Sequence, residues 1–227
     1  MLLLSNTYGD PYMLKTILSR IGLLVVGVAF LAPVKAEAVK LKPFPAFSKL
    51  PTKEIATLKK SKPTTSSYKI TVGKKKADVF VARIIINKPP AQTYKILMDF
   101  KSRYKYMPRM RLSKVLKKVS KKRFFVHQMV KVAWSKIHVH LDIRVNGKDE
   151  MTWTLRKNMK NGIKDNVGVW NMASYNGGKS TLLNYAVYTD PGRWVPGWLR
   201  RRLTKSSLRK LMVNVKKRVE SGGTWKK

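Results

Sequence analysis

His138 and His140 stand two residues apart, with Asp142 two further on. On one strand face that spacing suits a metal site, or an imidazole beside a carboxylate for proton transfer. The intervening residues argue otherwise. Ile137, Val139, Leu141, Ile143 and Val145 alternate with them, and a period of two with one apolar side marks a half-buried strand. The histidines, His127 aside, therefore point away from the apolar interior, and neither a metal nor another cofactor is expected. Gly178-Lys179-Ser180 has the ending of a phosphate-binding loop, but Ala173 stands where that motif has its first glycine. The tripeptide also lies between two strands, whereas such a loop joins a strand to a helix. No serine has the setting of a nucleophile elbow, and no two carboxylates form a recognisable pair. Asp149-Glu150 reads as a solvated turn. With zero cysteines, disulfides, thiolate metal sites, iron–sulfur clusters and cysteine nucleophiles are excluded. No catalytic residue is assigned.

Binding chemistry is better supplied. The 227 residues carry 49 Lys+Arg against 11 Asp+Glu, a formal charge of +38. Residues 101–123 hold eleven of those bases and no acid, with Tyr104 and Tyr106 among them. Basic and aromatic interleaving suits phosphate contacts and base stacking. Lysines near an anionic membrane would also be attracted to it. The hydrophobic content of 44% excludes a disordered basic tail, which could not bury enough apolar surface to offset its ordering entropy. The charge is spread along the chain, +2 in residues 1–36, +9 in 37–77 and +27 in 78–227. It reads as a generally lysine-rich surface, and a secretory start disfavours nucleic acid.

These residues need elements to hold them. Residues 79–86 (VFVARIII) are β-branched and apolar, a strand. Pro89-Pro90 opens a helix over 91–100, with Tyr94, Leu97 and Met98 at helical spacing. Residues 101–110 are irregular. Strands follow over 112–119 and 124–134, the latter with Phe124, Val126, Val130, Val132 and Trp134 on one parity. The next runs over 137–145, and Asn146-Gly147 signals a hairpin. Met151, Trp153 and Leu155 continue the alternation. Further strands span 167–175 and 181–189, until Asp190-Pro191-Gly192 breaks the sheet. Pro196 suits the first turn of a long helix. There Leu199, Leu203, Leu211, Val215 and Val219 recur on an i+4 lattice, joined by Leu208 and Met212. An antiparallel sheet cannot bury its apolar face alone, so the helix is its natural cover. The expected fold class is α+β, a curved antiparallel sheet wrapped around a long C-terminal helix.

This order resembles the START-like, helix-grip superfamily, also called SRPBCC or polyketide cyclase/lipid transport domains, in a secreted bacterial form. The resemblance spans about 79–220. Asp99, Tyr104, Met107-Pro108 and Ser113-x-Val115-Leu116 look like that family's stretch after the first helix. Trp170, Gly178-x-x-Thr181, Tyr185 and Asp190-Pro191-Gly192 look like its later strands, and Pro196 with Leu199 its final helix opening. Order and spacing together carry the likeness. It implies a cavity between sheet and helix for a lipid, sterol, quinone or polyketide. The expected walls are Ile137, Val139, Leu141, Met151, Trp153 and Leu155 from the strands, with Leu203, Leu211 and Val215 from the helix. Gln128, Asn171 and Asn184 are the polar candidates for orienting a head group. The expectation is a monomer that binds, and transfers, a hydrophobic small molecule or lipid without covalent chemistry. The alternatives are a cavity enzyme of cyclase or hydrolase type, and a basic nucleic-acid or scaffold-binding protein.

Two further segments bear on location. Arg193-Trp194-Val195-Pro196-Gly197-Trp198 precedes Arg200-Arg201-Arg202. Tryptophan suits the membrane interface, and the arginines would meet lipid phosphates, so Trp194, Trp198, Arg200, Arg201 and Arg202 are read as membrane-docking. Residues 21–32 (IGLLVVGVAFLA) form an uncharged apolar run behind Lys15 and Arg20, and Val34-Lys35-Ala36 offers a cleavage site. That pattern reads as a cleavable secretory signal over 1–36, with Met13 as the true start, and implies a periplasmic or secreted protein. The remaining organisation reads as a basic Pro/Lys-rich linker or arm over 37–77, a ligand-binding domain over 78–221 and a basic tail over 222–227.

Overall fold

The structure, a computed structural model, describes residues 39–132, 134–192 and 197–227, with side chains of the last helix from residue 206 onward. The secretory segment expected over 1–36 lies outside the described residues, as does Trp194. Eight strands form one antiparallel sheet: β1 (Thr64–Val72), β2 (Lys75–Ile86), β3 (Met110–Ser120), β4 (Arg123–Val132), β5 (Ser135–Asn146), β6 (Glu150–Leu155), β7 (Asp165–Tyr175) and β8 (Ser180–Asp190). Their spatial order is β1-β2-β8-β7-β6-β5-β4-β3. The helices are α1 (Thr52–Lys59), α2 (Pro90–Met98), α3 (Arg103–Tyr106) and α4 (Gly197–Glu220). The chain leaves β2, crosses through α2 and α3 to the far edge, and then returns strand by strand to β8.

The sheet curves so that its two halves share one core. Phe80 and Ile84 of β2 and Val126 of β4 pack in the same cluster as Leu208, Met212, Val215 and Val219 of α4. From Leu208 onward, the apolar positions read from the sequence thus form the core-facing side of the helix, with Leu211 partly buried. This is the helix-grip architecture expected above. Two polar side chains help seat α4: Asn214 Nδ2 donates to the Tyr106 carbonyl at 2.8 Å, and Arg218 Nη1 to the Trp225 carbonyl at 2.8 Å.

Three expectations are corrected. Residues 37–77 are not a free arm from residue 39 onward. β1 pairs along its whole length with β2, while α1 and the segment before it cover the outer face of the sheet. Leu50 and Leu58 pack there on Ile85 and Leu182, and Val39, Leu41 and Phe44 on a cluster of Val79, Val81, Val169, Ala186 and Tyr188. A partly buried ion pair secures α1, Arg83 Nη1 to Glu54 Oε1 at 2.8 Å. The physical reason lies in β2: its run from Val79 is buried on both faces, and a two-sided strand needs a cover on each side. Second, β4 ends at Val132, so Trp134 leaves the strand parity and stands 95% exposed in the β4–β5 turn. Third, 222–227 is not a loose tail. Trp225 packs on the core, and the Lys227 ammonium donates to the carbonyls of Met107 and Met110.

Candidate functional site: a cavity between sheet and helix

An apolar cavity of about 420 Å³ opens between the concave sheet face and α4. Pockets for small ligands commonly span about 300–1,000 Å³. Period-two alternation builds its walls. Val130 and Val132 of β4, Ile137, Val139 and Leu141 of β5, Trp153 of β6 and Trp170 of β7 all line it. Phe80 and Val187 continue the wall across β2 and β8, and Leu208 and Leu211 face them from α4. One end lies by the β4–β5 hairpin, where Val132 and Ile137 sit beside Ile163, Thr189 and Pro191. The other is reached by Arg103, whose guanidinium lies against Met151.

Of the expected wall, Ile137, Val139, Leu141, Trp153 and Leu211 line the cavity, as does Gln128. Met151, Leu155 and Val215 are in the same core but fill it as solid packing. Asn171 and Asn184 are corrected. Their neighbours Trp170 and Tyr185 take the concave face, so strand alternation turns both asparagines outward. There Asn184 Nδ2 donates to Asn171 Oδ1 at 3.0 Å. Leu203, Trp198, Arg200, Arg201 and Arg202 have helical backbone in α4, but their side chains lie outside the described residues.

Trp153 is held by two neighbours. Its indole Nε1 donates to Asn166 Oδ1 at 2.6 Å, and its ring lies against Tyr185, 5.6 Å between centroids. Asn166 in turn donates to Thr189 Oγ1 at 2.8 Å. Opposite Trp153 stands Gly168, whose missing side chain leaves room for the indole.

Sequence reasoning missed two features. Arg103 belonged to a basic stretch that read as surface, yet it is 3% exposed and lines the cavity. Its Nε and Nη2 donate to the Leu97 carbonyl at 3.3 and 2.7 Å, and its guanidinium lies 4.6 Å over the Phe100 ring. Burial lowers the pKa of Arg103. Burial likewise pushes the nearby Tyr106 hydroxyl up to about 12, and raises that of Tyr185 on the cavity wall. Both phenols are neutral at physiological pH. Tyr104 and Tyr106 two apart, one exposed and one buried, mark the turn of α3 that carries Arg103 inward, but a four-residue helix leaves almost no periodicity to read. The second missed feature is Trp134.

The histidines take the outer face. His127 Nε2 and His138 Nδ1 lie 2.9 Å apart, and the His127 and His140 rings stack at 4.5 Å. They contact one another rather than converge on a common point, and among the described residues no three His, Asp or Glu side chains form a metal-binding group. Asp142, beside them, is gripped by Arg123 through Nε and Nη2.

No family model matches the sequence, and no curated protein is significantly similar to it. Solved structures do match. The STAR-related lipid transfer protein from Xanthomonas axonopodis superposes with a TM-score of 0.55 at 15% identity, over 68% of this chain and 93% of that one. Human StAR-related lipid transfer protein 5 gives 0.56 at 9% identity, over 70% and 83%. The Zhui aromatase/cyclase from Streptomyces sp. R1128 gives 0.51 at 11% identity, over 71% and 98%. The chain therefore has the START-like, SRPBCC fold. At these identities the likeness concerns the fold, and function rests on the site.

Proposed function

We propose that this chain binds a hydrophobic ligand, such as a lipid, sterol or quinone, in the cavity and carries it to or from an anionic membrane surface. The apolar cavity between sheet and α4 is the observation that carries the reading. Apolar ligand area leaving water would contribute roughly 25 cal/mol per Å², with no covalent step. Lipid transfer proteins among the similar folds support the ligand class. The secretory pattern supports a periplasmic or secreted setting. The net charge of +38 supports an anionic partner. Trp134 supports docking: it is exposed at the hairpin whose flanks, Val132 and Ile137, line one end of the cavity. Trp194, Trp198, Arg200, Arg201 and Arg202 belong to the same proposal. Native mass spectrometry of the purified protein, followed by organic extraction, tests the binding reading. One stoichiometric lipid is expected; an empty protein that takes up no lipid from vesicles contradicts it.

A cyclase-type enzyme is the second reading, favoured by the aromatase/cyclase likeness and by Arg103 and Tyr185 on the cavity wall. Turnover of a polyketide-type substrate by the purified chain would establish it.

A further inference from the structure

Most polar groups around the cavity have partners. The Trp153 indole N–H is bonded to Asn166, and Asn166 to Thr189. Two groups differ. The Gln128 side chain is 7% exposed and lines the cavity, yet its Nε2 has no hydrogen-bond partner. Arg103 brings a full positive charge to the same cavity, and no carboxylate lies within ion-pair distance of it among the described residues. Its partners are the Leu97 carbonyl, the Met151 sulfur, the Tyr106 hydroxyl and the face of the Phe100 ring, with Asp99 acting on it only as a more distant charge. A buried donor left unmade is costly, and a buried charge without a counter-ion more so. Arginine does not escape that cost by deprotonating.

We infer that the hydrophobic ligand is an anionic amphiphile, a long-chain carboxylate, whose head group is bound by the Arg103 guanidinium and the Gln128 amide. The inference rests on the hydrophobic-ligand reading above and specifies its chemistry. One guanidinium neutralises one carboxylate and presents it with a fork of N–H donors. Gln128 supplies the additional N–H. The surrounding valines, isoleucines and tryptophans receive the chain. The other cation on the cavity lining, Arg109, is exposed to solvent and so retains its hydration.

The test uses the full chain, with laurate and dodecanol as probes of equal chain length, followed by tryptophan fluorescence and calorimetry. One laurate per chain is expected, bound at least tenfold more tightly than dodecanol. Arg103→Met should erase that preference. Because Arg103 also ties down the end of α2 through Leu97, Gln128→Leu gives an independent measurement: laurate weakens several-fold and dodecanol does not. Equal affinity for the two probes in the unmodified chain overturns the inference while leaving the hydrophobic-ligand reading in place. Binding of neither probe overturns both. Laurate bound only at many salt-sensitive sites also overturns it, since that is the signature of the basic surface.

Discussion

Replacing Gly168 by alanine tests how closely the cavity wall is built. Gly168 lies opposite Trp153 in the β6–β7 pairing. A β-carbon there would stand 2.0 Å from Cζ2 of the indole, 2.4 Å from Cε2 and 2.6 Å from Cη2. Carbon atoms settle at about 3.5–4.0 Å, so the ring must swing away rather than yield by tenths of an ångström. Backbone strain plays no part, since Gly168 has no positive φ. Overpacking of this kind costs about 1–3 kcal/mol. Loss of the Trp153–Asn166 bond adds about 1 kcal/mol. Against this, alanine in a strand recovers up to about 1 kcal/mol of backbone entropy. The net expectation is a destabilisation of about 2 kcal/mol, or a Tm lower by about 4–8 °C for a domain of this size. Urea unfolding followed by fluorescence measures it. The clash depends on the ring, so alanine should be nearly harmless in a Trp153→Leu background, with a coupling energy of at least about 1 kcal/mol. A G168A protein as stable as the parent, or strictly additive effects in the double mutant, would refute the packing argument.

Three other expectations follow from particular contacts. Glu54→Ala leaves Arg83 buried without its partner and should destabilise the fold by about 3 kcal/mol in chemical denaturation; a near-neutral effect would mean that α1 is not anchored through this pair. Burial by itself would raise the Asp142 carboxyl, but its hydrogen bonds and charge contact with Arg123, helped by Arg144, outweigh burial and hold it below the ordinary value. Its stabilisation is therefore fully present above the unfolded-state value of about 3.9 and lost as pH falls through the lower, folded-state value. Asp142→Asn should flatten the acid limb of the stability–pH curve, and an unchanged limb contradicts this. Trp134→Ala should leave Tm unchanged, since the side chain is exposed, while weakening binding to anionic vesicles in flotation assays; undiminished binding removes Trp134 from the docking proposal.

Much of the fold was legible because strand periodicity is a local property. The sets Ile137–Val139–Leu141 and Met151–Trp153–Leu155 each declare one apolar side, and every strand expected from the sequence is present. The outer cover was legible in part. VFVARIII in β2 is apolar at both parities, which already demands packing on two faces, and Tyr68, Ile70 and Val72 alternate in β1. These signals were masked by the lysines and prolines around them. The paired asparagines show the limit of parity. Asn184 is buried and Asn171 half-buried, both in strands that border the cavity, but only the placement of Trp170 and Tyr185 on the concave face tells which side the asparagines take.

By itself the sequence determined the strand and helix order, the apolar stripe of α4, the absence of cysteine chemistry and the excess of positive charge, since composition and period need no partner. Tertiary structure alone decided that Met151, Leu155 and Val215 fill space while Val139 and Leu141 border it, because a void is a property of how distant elements fit. It also decided the fate of individual charges. Arg103, one base among eleven in residues 101–123, is drawn under the sheet by the short turn of α3 and by the Leu97 carbonyl at the end of α2. Burial, and not residue type, separates that arginine from the solvated lysines around it, because only a charge removed from water is left in need of a partner.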